Sequence, residues 1–214
     1  MRTTDIFLSF LGRLLGKNIG RIKYIKDKAA TTFFCSKVSC VGRKAIIRWP
    51  LYLYGEKYIQ VGDSFSTGPG LRIECFDSYL NEQYRPKLQI GNNVTLNYYC
   101  HIGCINQITI GDDVLIGSSV LITDHSHGLL SSDNPQTPWA KRKLLSKGPV
   151  IIGNNVWIGE NSCILPGVTI GDGCIIGAGS IVTHNIPAYS IAAGNPAKIV
   201  KQICEKEDEY EKRD

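Results

Sequence analysis

The sequence predicts an all-β fold: short strands wound into a parallel β-helix, with an amphipathic helix ahead of it, one extruded loop, and a short closing segment. Three observations predict it. An aliphatic residue recurs every six positions at Ile152, Ile158, Ile164, Ile170, Ile176 and Val182. Glycine follows the aliphatic at 153, 159, 171 and 177. The count fails between Ile122 and Ile152, where a polar stretch opens with two of the chain's four histidines.

A step of six fits neither a helix, which repeats at 3.6, nor simple strand alternation. It suits short strands joined by tight turns around a coil, one aliphatic per face pointing inward. Stacked coils then align these aliphatics in columns, each coil covering its neighbour's core. Glycine serves the corners, where the chain turns sharply or needs a positive φ.

Residues 4 to 28 carry Phe7, Leu11, Leu14, Ile22 and Ile25 on roughly one helical face with Arg and Lys between them. Two placements stay open for such a helix: packed on the β-helix end or a neighbour, or lying on a membrane surface. From 31 to 87 the chain reads as irregular early coils; "AIIRWPLYLYG" and "LRIECF" are strand-like, and "ECFDSYLNEQYRP" is a candidate loop over an acceptor site. The six-step then runs through Ile90, Leu96 and Ile102, stretches to eight before Ile110, and continues through Ile116 and Ile122. Small or β-branched Val156, Ser162, Val168, Cys174 and Ser180 sit two positions before an aliphatic. The domain boundaries follow: 1–60 as a basic N-terminal segment with a helix and early strands, 61–187 as the β-helix with an extruded loop over 124–148, and 188–214 as a closing segment and charged tail.

The bulk numbers restrict function. With 20% charged and 43% hydrophobic residues in 214, the chain has the composition of a soluble globular protein. No apolar run reaches the roughly 18 residues of a membrane span. The opening residues lack a small-residue cleavage site, so no signal peptide is read and a cytoplasmic protein with reduced thiols is expected. Residues 1–60 hold twelve Lys and Arg against three acids, a balance of +9, and the rest hold twelve against sixteen. That basic front suits an anionic lipid surface or plain solvent. No nucleic-acid motif accompanies it, and no nucleic-acid partner is expected.

The segments "TIGDDVLIGSSV", "IIGNNVWIGENSCILPGVTIGDGCIIGAGSIVTHNIP" and "AAGNPAKIV" resemble the hexapeptide-repeat acetyltransferases, nearest to the maltose and galactoside O-acetyltransferases and the sugar O-acetyltransferases of surface-polysaccharide gene clusters. The resemblance covers about residues 88 to 200. It implies a left-handed coil, a homotrimer with sites between subunits, acetyl-CoA as co-substrate, no required metal, and a sugar acceptor. Counting without a gap from "VLI", the family's catalytic histidine falls on His127 and its acceptor-contacting asparagine on Asn97. His125 is the alternative, because loop starts slide by a residue or two.

The chemistry asks for one base. A thioester is already activated, and a hydroxyl attacks once its proton is taken; imidazole titrates in the right range. Backbone N–H groups at turns can hold the oxyanion. Asp124 could orient the imidazole, as could a backbone carbonyl. His101 and His184 read first as surface or core histidines; beyond that, His101 could line the acceptor site and His184 the nucleotide end. Matching family positions puts Trp157, Gly159, Gly177, Ala178 and Gly179 along a coenzyme groove, with Lys198 and Lys201 as cations for its phosphates. The competing placements are packing for Trp157 and a solvated surface for the two lysines.

Competing functions remain. A γ-carbonic-anhydrase-like zinc enzyme would draw on His101, His125 and His127, but that family spaces two histidines five apart rather than two. A noncatalytic β-helix scaffold leaves the loop histidines unexplained. An N-acyltransferase on an amino sugar uses the same chemistry. A serine acetyltransferase would bring an N-terminal helical domain that is not evident here.

Overall fold

The computed structural model describes residues 3–128 and 135–202, with the helix positions 3–15, 17 and 18 by backbone alone. Phe7, Leu11 and Leu14 therefore lie outside the described side chains, and the charged tail lies outside the described residues.

One helix, Thr3–Lys37, precedes a stack of parallel strands. The strands form three long sheets, the faces of a triangular prism. The first face runs Cys40–Val41, Ile59–Val61, Lys87–Ile90, Gln107–Ile110, Val150–Ile152 and Thr169–Ile170. The second includes Ser66–Thr67, Thr95–Leu96, Leu115–Ile116, Trp157–Ile158 and Ile175–Ile176, and ends on the hairpin Ser190–Gly194 with Ala197–Gln202. The third holds Leu51–Tyr54, Leu71–Cys75, His101–Cys104, Leu121–Thr123, Cys163–Ile164 and Ile181–Val182. Strand pairing thus begins at Cys40, among the early strands ahead of residue 61.

Register follows the six-residue step. Ile90 pairs with Ile110, Ile110 with Ile152, and Ile152 with Ile170. Leu96, Ile116, Ile158, Ile176 and Ala192 form the second column. Ile73, Ile102, Ile122, Ile164 and Val182 form the third. All are buried in one continuous core, together with the corner residues Val156, Ser162, Val168, Cys174 and Ser180. Each buried aliphatic contributes about 1.5–3 kcal/mol, so the columns carry the fold.

The repeat glycines serve close stacking, and the positive φ falls elsewhere. A Cβ on Gly159 would stand 2.5 Å from the Ala178 backbone nitrogen, and one on Gly117 would stand 2.6 Å from that of Glu160. Left-handed corner positions are taken by Asn93, Asp113, Ser119, Asn155 and Asn161, short polar residues that tolerate that region, and in the later coils by Gly167, Gly173 and Gly179.

Two ends close the core. At the start, Ala30 and Phe34 of the helix, and Val38 just past its end, are buried against the first coil, and the Phe34 ring stacks on Phe65 at 5.9 Å. This docking carries the helix nine residues past position 28. At the far end, the Ser190–Gln202 hairpin adds two strands to the second face.

Three excursions leave the coils at one corner, between the third and first faces: residues 76–86, residues 105–106, and the segment from 124, described to 128 and again over 135–148. In a coil of fixed pitch, insertions at one corner pile up on one side. There they build a wall beside the third face.

Candidate active site

The wall and the third face enclose a cavity of about 180 Å³. Strand alternation supplies the floor. Leu71, Ile73 and Cys75 point inward, so Arg72 and Glu74 point out; Ile102 is inward, so His101 and Gly103 face out. Thr123 ends a third-face strand, His125 and His127 come from the start of the extruded loop, Phe76 and Tyr79 from the first excursion, and Leu144 from the loop's return.

The excursions brace one another. Ser126 and Leu145 exchange two backbone hydrogen bonds, at 3.0 and 2.9 Å. The Tyr84 hydroxyl donates to the Leu144 carbonyl at 3.1 Å and accepts from the Leu144 N–H at 3.0 Å. Burial pushes the Tyr84 hydroxyl's pKa up. Tyr79 donates to the Ala140 carbonyl at 3.0 Å. Arg142 stacks on Trp139 and donates to the Thr137 carbonyl at 2.9 Å.

Two imidazole–carboxylate pairs line this cavity. Asp124 is fully buried. Its carboxylate accepts the N–H groups of Ile105 at 2.9 Å and Asn106 at 2.8 Å, the Cys104 thiol at 3.4 Å, and His125 Nδ1 at 3.0 Å. Ile105 and Asn106 are the two-residue insertion that stretches the step to eight, so Asp124 fills the widened corner below it. The bond to Nδ1 leaves His125 Nε2 as the acceptor nitrogen. Phe76 meets that ring edge-on, with centroids 6.1 Å apart. The second pair is His101 Nε2 with Glu74 Oε2 at 3.1 Å, and Arg72 also binds Glu74, at 2.7 Å. Burial, then the Arg72 charge, hold the His101 pKa below its ordinary 6.5, against the upward pull of Glu74. Gly103 lies between the pairs: a Cβ there would stand 3.1 Å from His125 Cε1 and 3.8 Å from His101 Nε2. His127 is exposed at the rim, its ring edge-on to Tyr79 at 5.5 Å.

A separate groove of about 380 Å³ crosses the second face and its corner with the third. Asn97, Gly117, Trp157, Gly159, Gly177 and Ala178 line it, with Glu160 and Ile175. Trp157 stands outward and half exposed. The Asn97 side chain donates to the Ile116 carbonyl at 3.1 Å. Gly179 sits at the next corner with φ +69 and open space around it. Lys198 and Lys201 lie on the last strand of the same sheet, beyond the groove. His184 is exposed, its Nδ1 2.8 Å from the Thr183 hydroxyl.

The structure thus gathers His125, His127 and Asp124 at the cavity, and Asn97 with Trp157, Gly159, Gly177 and Ala178 at the groove. The two sets lie on neighbouring faces of one prism and share no lining residue. The sequence reading had not assigned Arg72 or Gly103 to a site, and had placed Glu74 and Tyr79 only within the candidate loop "ECFDSYLNEQYRP". The outward positions of "LRIEC" carried the signal, as polar residues alternating with inward Leu71, Ile73 and Cys75. Among the described residues no three His, Cys, Asp or Glu side chains converge as metal ligands.

The Cys104 thiol is held far above its ordinary range, first by its hydrogen bond with Cys75, then by burial and the Asp124 charge. Such a thiol is inert at neutral pH.

Comparison with known proteins agrees with this architecture. The model of the bacterial transferase hexapeptide (six repeats) matches residues 149–184, and that of the hexapeptide repeat of succinyl-transferase matches 107–123. The putative lipopolysaccharide biosynthesis O-acetyl transferase WbbJ of Escherichia coli is 38% identical over 197 residues, covering 90% of this chain and 93% of that one. Galactoside O-acetyltransferase of Escherichia coli is 39% identical over 59% of this chain and 60% of its own length. Among solved structures, galactoside acetyltransferase in complex with coenzyme A superposes with a TM-score of 0.57 at 30% identity, over 86% of this chain and 74% of that one. AntD, an N-acyltransferase from Bacillus cereus, superposes with a TM-score of 0.65 over 82% of this chain and 88% of that one; at 22% identity it shares the fold. With its columns, corners and loop in that register, the chain belongs to the left-handed β-helix hexapeptide-repeat family and is an acetyl-CoA-dependent acetyltransferase.

Proposed function

We propose that this acetyltransferase acts on a hydroxyl of a sugar or surface-polysaccharide precursor, at the junctions of a cytoplasmic homotrimer, with His127 as the general base. The observation that carries the reading is the separation of the two half-sites. The third face carries imidazoles and charge, and the second carries a glycine-walled groove with Asn97. In a threefold arrangement one copy's third face can oppose a neighbour's second face. A thin pantetheine arm fits the groove, and the acceptor sits in the polar cavity opposite. The similarity to WbbJ, named for lipopolysaccharide biosynthesis, and to galactoside O-acetyltransferase supports a sugar acceptor.

In this reading His127, exposed at the rim, takes the acceptor proton as its oxygen attacks the thioester carbonyl. Backbone N–H groups at the corners hold the oxyanion. The C–S bond breaks, and the imidazolium returns the proton to the leaving thiolate, so an acetyl ester and coenzyme A leave. His125 is the second reading, favoured by the Asp124 bond that fixes its tautomer.

Mixing subunits tests the junction. His127→Ala and Asn97→Ala variants, each inactive alone, are refolded together and assayed with acetyl-CoA and a panel of sugars and amino sugars. Random mixing gives a junction both intact halves about a quarter of the time, so about a quarter of the wild-type rate returns. No recovery sinks the two-chain site. Recovery with His125→Ala but not with His127→Ala would move the base to His125. Faster turnover of amino sugars than of hydroxyl acceptors would make the reaction N-acylation.

A further inference from the structure

The N-terminal helix is far longer than its docking requires. Asp27, Ala30, Thr31, Phe34 and Val38 hold it to the first coil: Asp27 accepts the Trp49 N–H at 2.9 Å, and the Thr31 hydroxyl accepts the Ile47 N–H at 2.9 Å. From Ile19 to Lys26 every residue is exposed, including Ile19, Ile22 and Ile25, each more than half accessible. Ile22, Ala29 and Phe33 recur at helical spacing on one flank. Trp49 and Leu51 continue that flank onto the coil, forming two shallow apolar grooves bordered by Lys23 and Lys26.

Charge decides what covers this flank. The helix holds seven Lys and Arg against two acids. One of those acids, Asp27, is already bound by Arg48 at 3.3 Å. Pairing the flank with the same flank of a second copy would set Lys23 and Lys26 against their own kind, which is destabilising. An anionic surface relieves that repulsion and covers the apolar residues together. Among the described residues no helix is long and apolar enough to cross a bilayer, so the fitting geometry lies along the interface. We infer that this end of the molecule docks on an anionic lipid bilayer, the Ile22–Phe33–Trp49 flank inserting among the acyl chains and the flanking lysines meeting the headgroups.

The test is co-sedimentation of the full chain with phosphatidylcholine vesicles, with and without phosphatidylglycerol. Binding is expected only with phosphatidylglycerol and should weaken as salt rises. Lys23→Gln with Lys26→Gln should lower partitioning about thirty-fold, two cations at about 1 kcal/mol each near an anionic surface. Ile22→Ser with Phe33→Ser should lower it at every salt concentration. Acetyl-CoA binding, read alongside, should stay at the wild-type level in both variants and so report an intact fold. Equal binding to both vesicle types, or to neither, overturns the inference. No vesicle binding, together with a smaller oligomeric mass for Ile22→Ser with Phe33→Ser, assigns the flank to a second copy instead.

Discussion

The cavity on the third face and the groove on the second use the same coil in opposite ways. The cavity is made of side chains: three imidazoles, Glu74, Arg72 and Tyr79, held by a loop that the other two excursions brace. The groove is made largely of missing side chains, glycine backbone with one outward tryptophan. The first can tell one acceptor from another and move a proton. The second can admit a long, thin ligand to the main chain and do little else. A repeat fold gains chemistry where its repeat is broken, and a cofactor track where the repeat is kept.

The contrast breaks hardest at the cavity rim. His127→Ala should cut kcat by about 10²–10⁴, the range for a lost general base. Its KM for acetyl-CoA should stay near the wild-type value, because the groove is untouched. Steady-state kinetics with the acceptor saturating checks both numbers. A KM change with kcat unaltered would make His127 a binding residue.

Asp124 joins the cavity to the core, so its loss should be read first as stability. Asp124→Ala leaves the buried N–H of Ile105 and the part-buried N–H of Asn106 without their acceptor. At about 1–3 kcal/mol for each unsatisfied group, the variant should lose about 2 kcal/mol or more. Chemical denaturation checks this. The same substitution frees the His125 tautomer, so any activity lost beyond the unfolded fraction measures that orienting role.

At the groove the expected effect is smaller and opposite in kind. Trp157→Ala should raise KM for acetyl-CoA about tenfold, or 1.4 kcal/mol, with kcat little changed. Isothermal titration with coenzyme A gives the same quantity without an acceptor. If Trp157 instead packs only against a neighbouring copy, the oligomer weakens and the coenzyme constant holds.

These effects differ in how far the sequence announced them. The columns through Ile90, Leu96 and Ile102 were legible because each residue answers to a local rule, one inward aliphatic per face. The groove was legible for the same reason, since its glycines are part of the repeat. The corner insertion showed only as a step of eight before Ile110. What fills it is the Asp124 carboxylate, from a residue one coil later that no local pattern links to it. The helix read over 4–28 runs on to Lys37 because Phe34 finds Phe65, a contact thirty-one residues away. The base remains a choice between two histidines, because Asp124 favours one and the family count favours the other.

The smallest expected effect concerns His101, the imidazole that neither mechanism uses. Burial and Arg72 hold its folded pKa below 6.5, so the native state favours the neutral ring. The unfolded chain then binds more protons than the folded one as pH drops below 6.5, and stability rises with pH through that window. The contribution is complete above the unfolded value and is lost as pH falls through the folded one. His101→Gln, which keeps a donor for Glu74 without a titrating ring, should therefore flatten the stability profile below pH 6.5 and leave it unchanged at pH 8. Thermal denaturation across that range, wild type against variant, reads the difference directly. An unchanged slope would mean that Glu74, at 3.1 Å, already offsets the burial and holds His101 at its ordinary value. The cavity would then carry a second titrating imidazole within the working pH range, and the pH profile of kcat would have to be assigned to the pair rather than to the base alone.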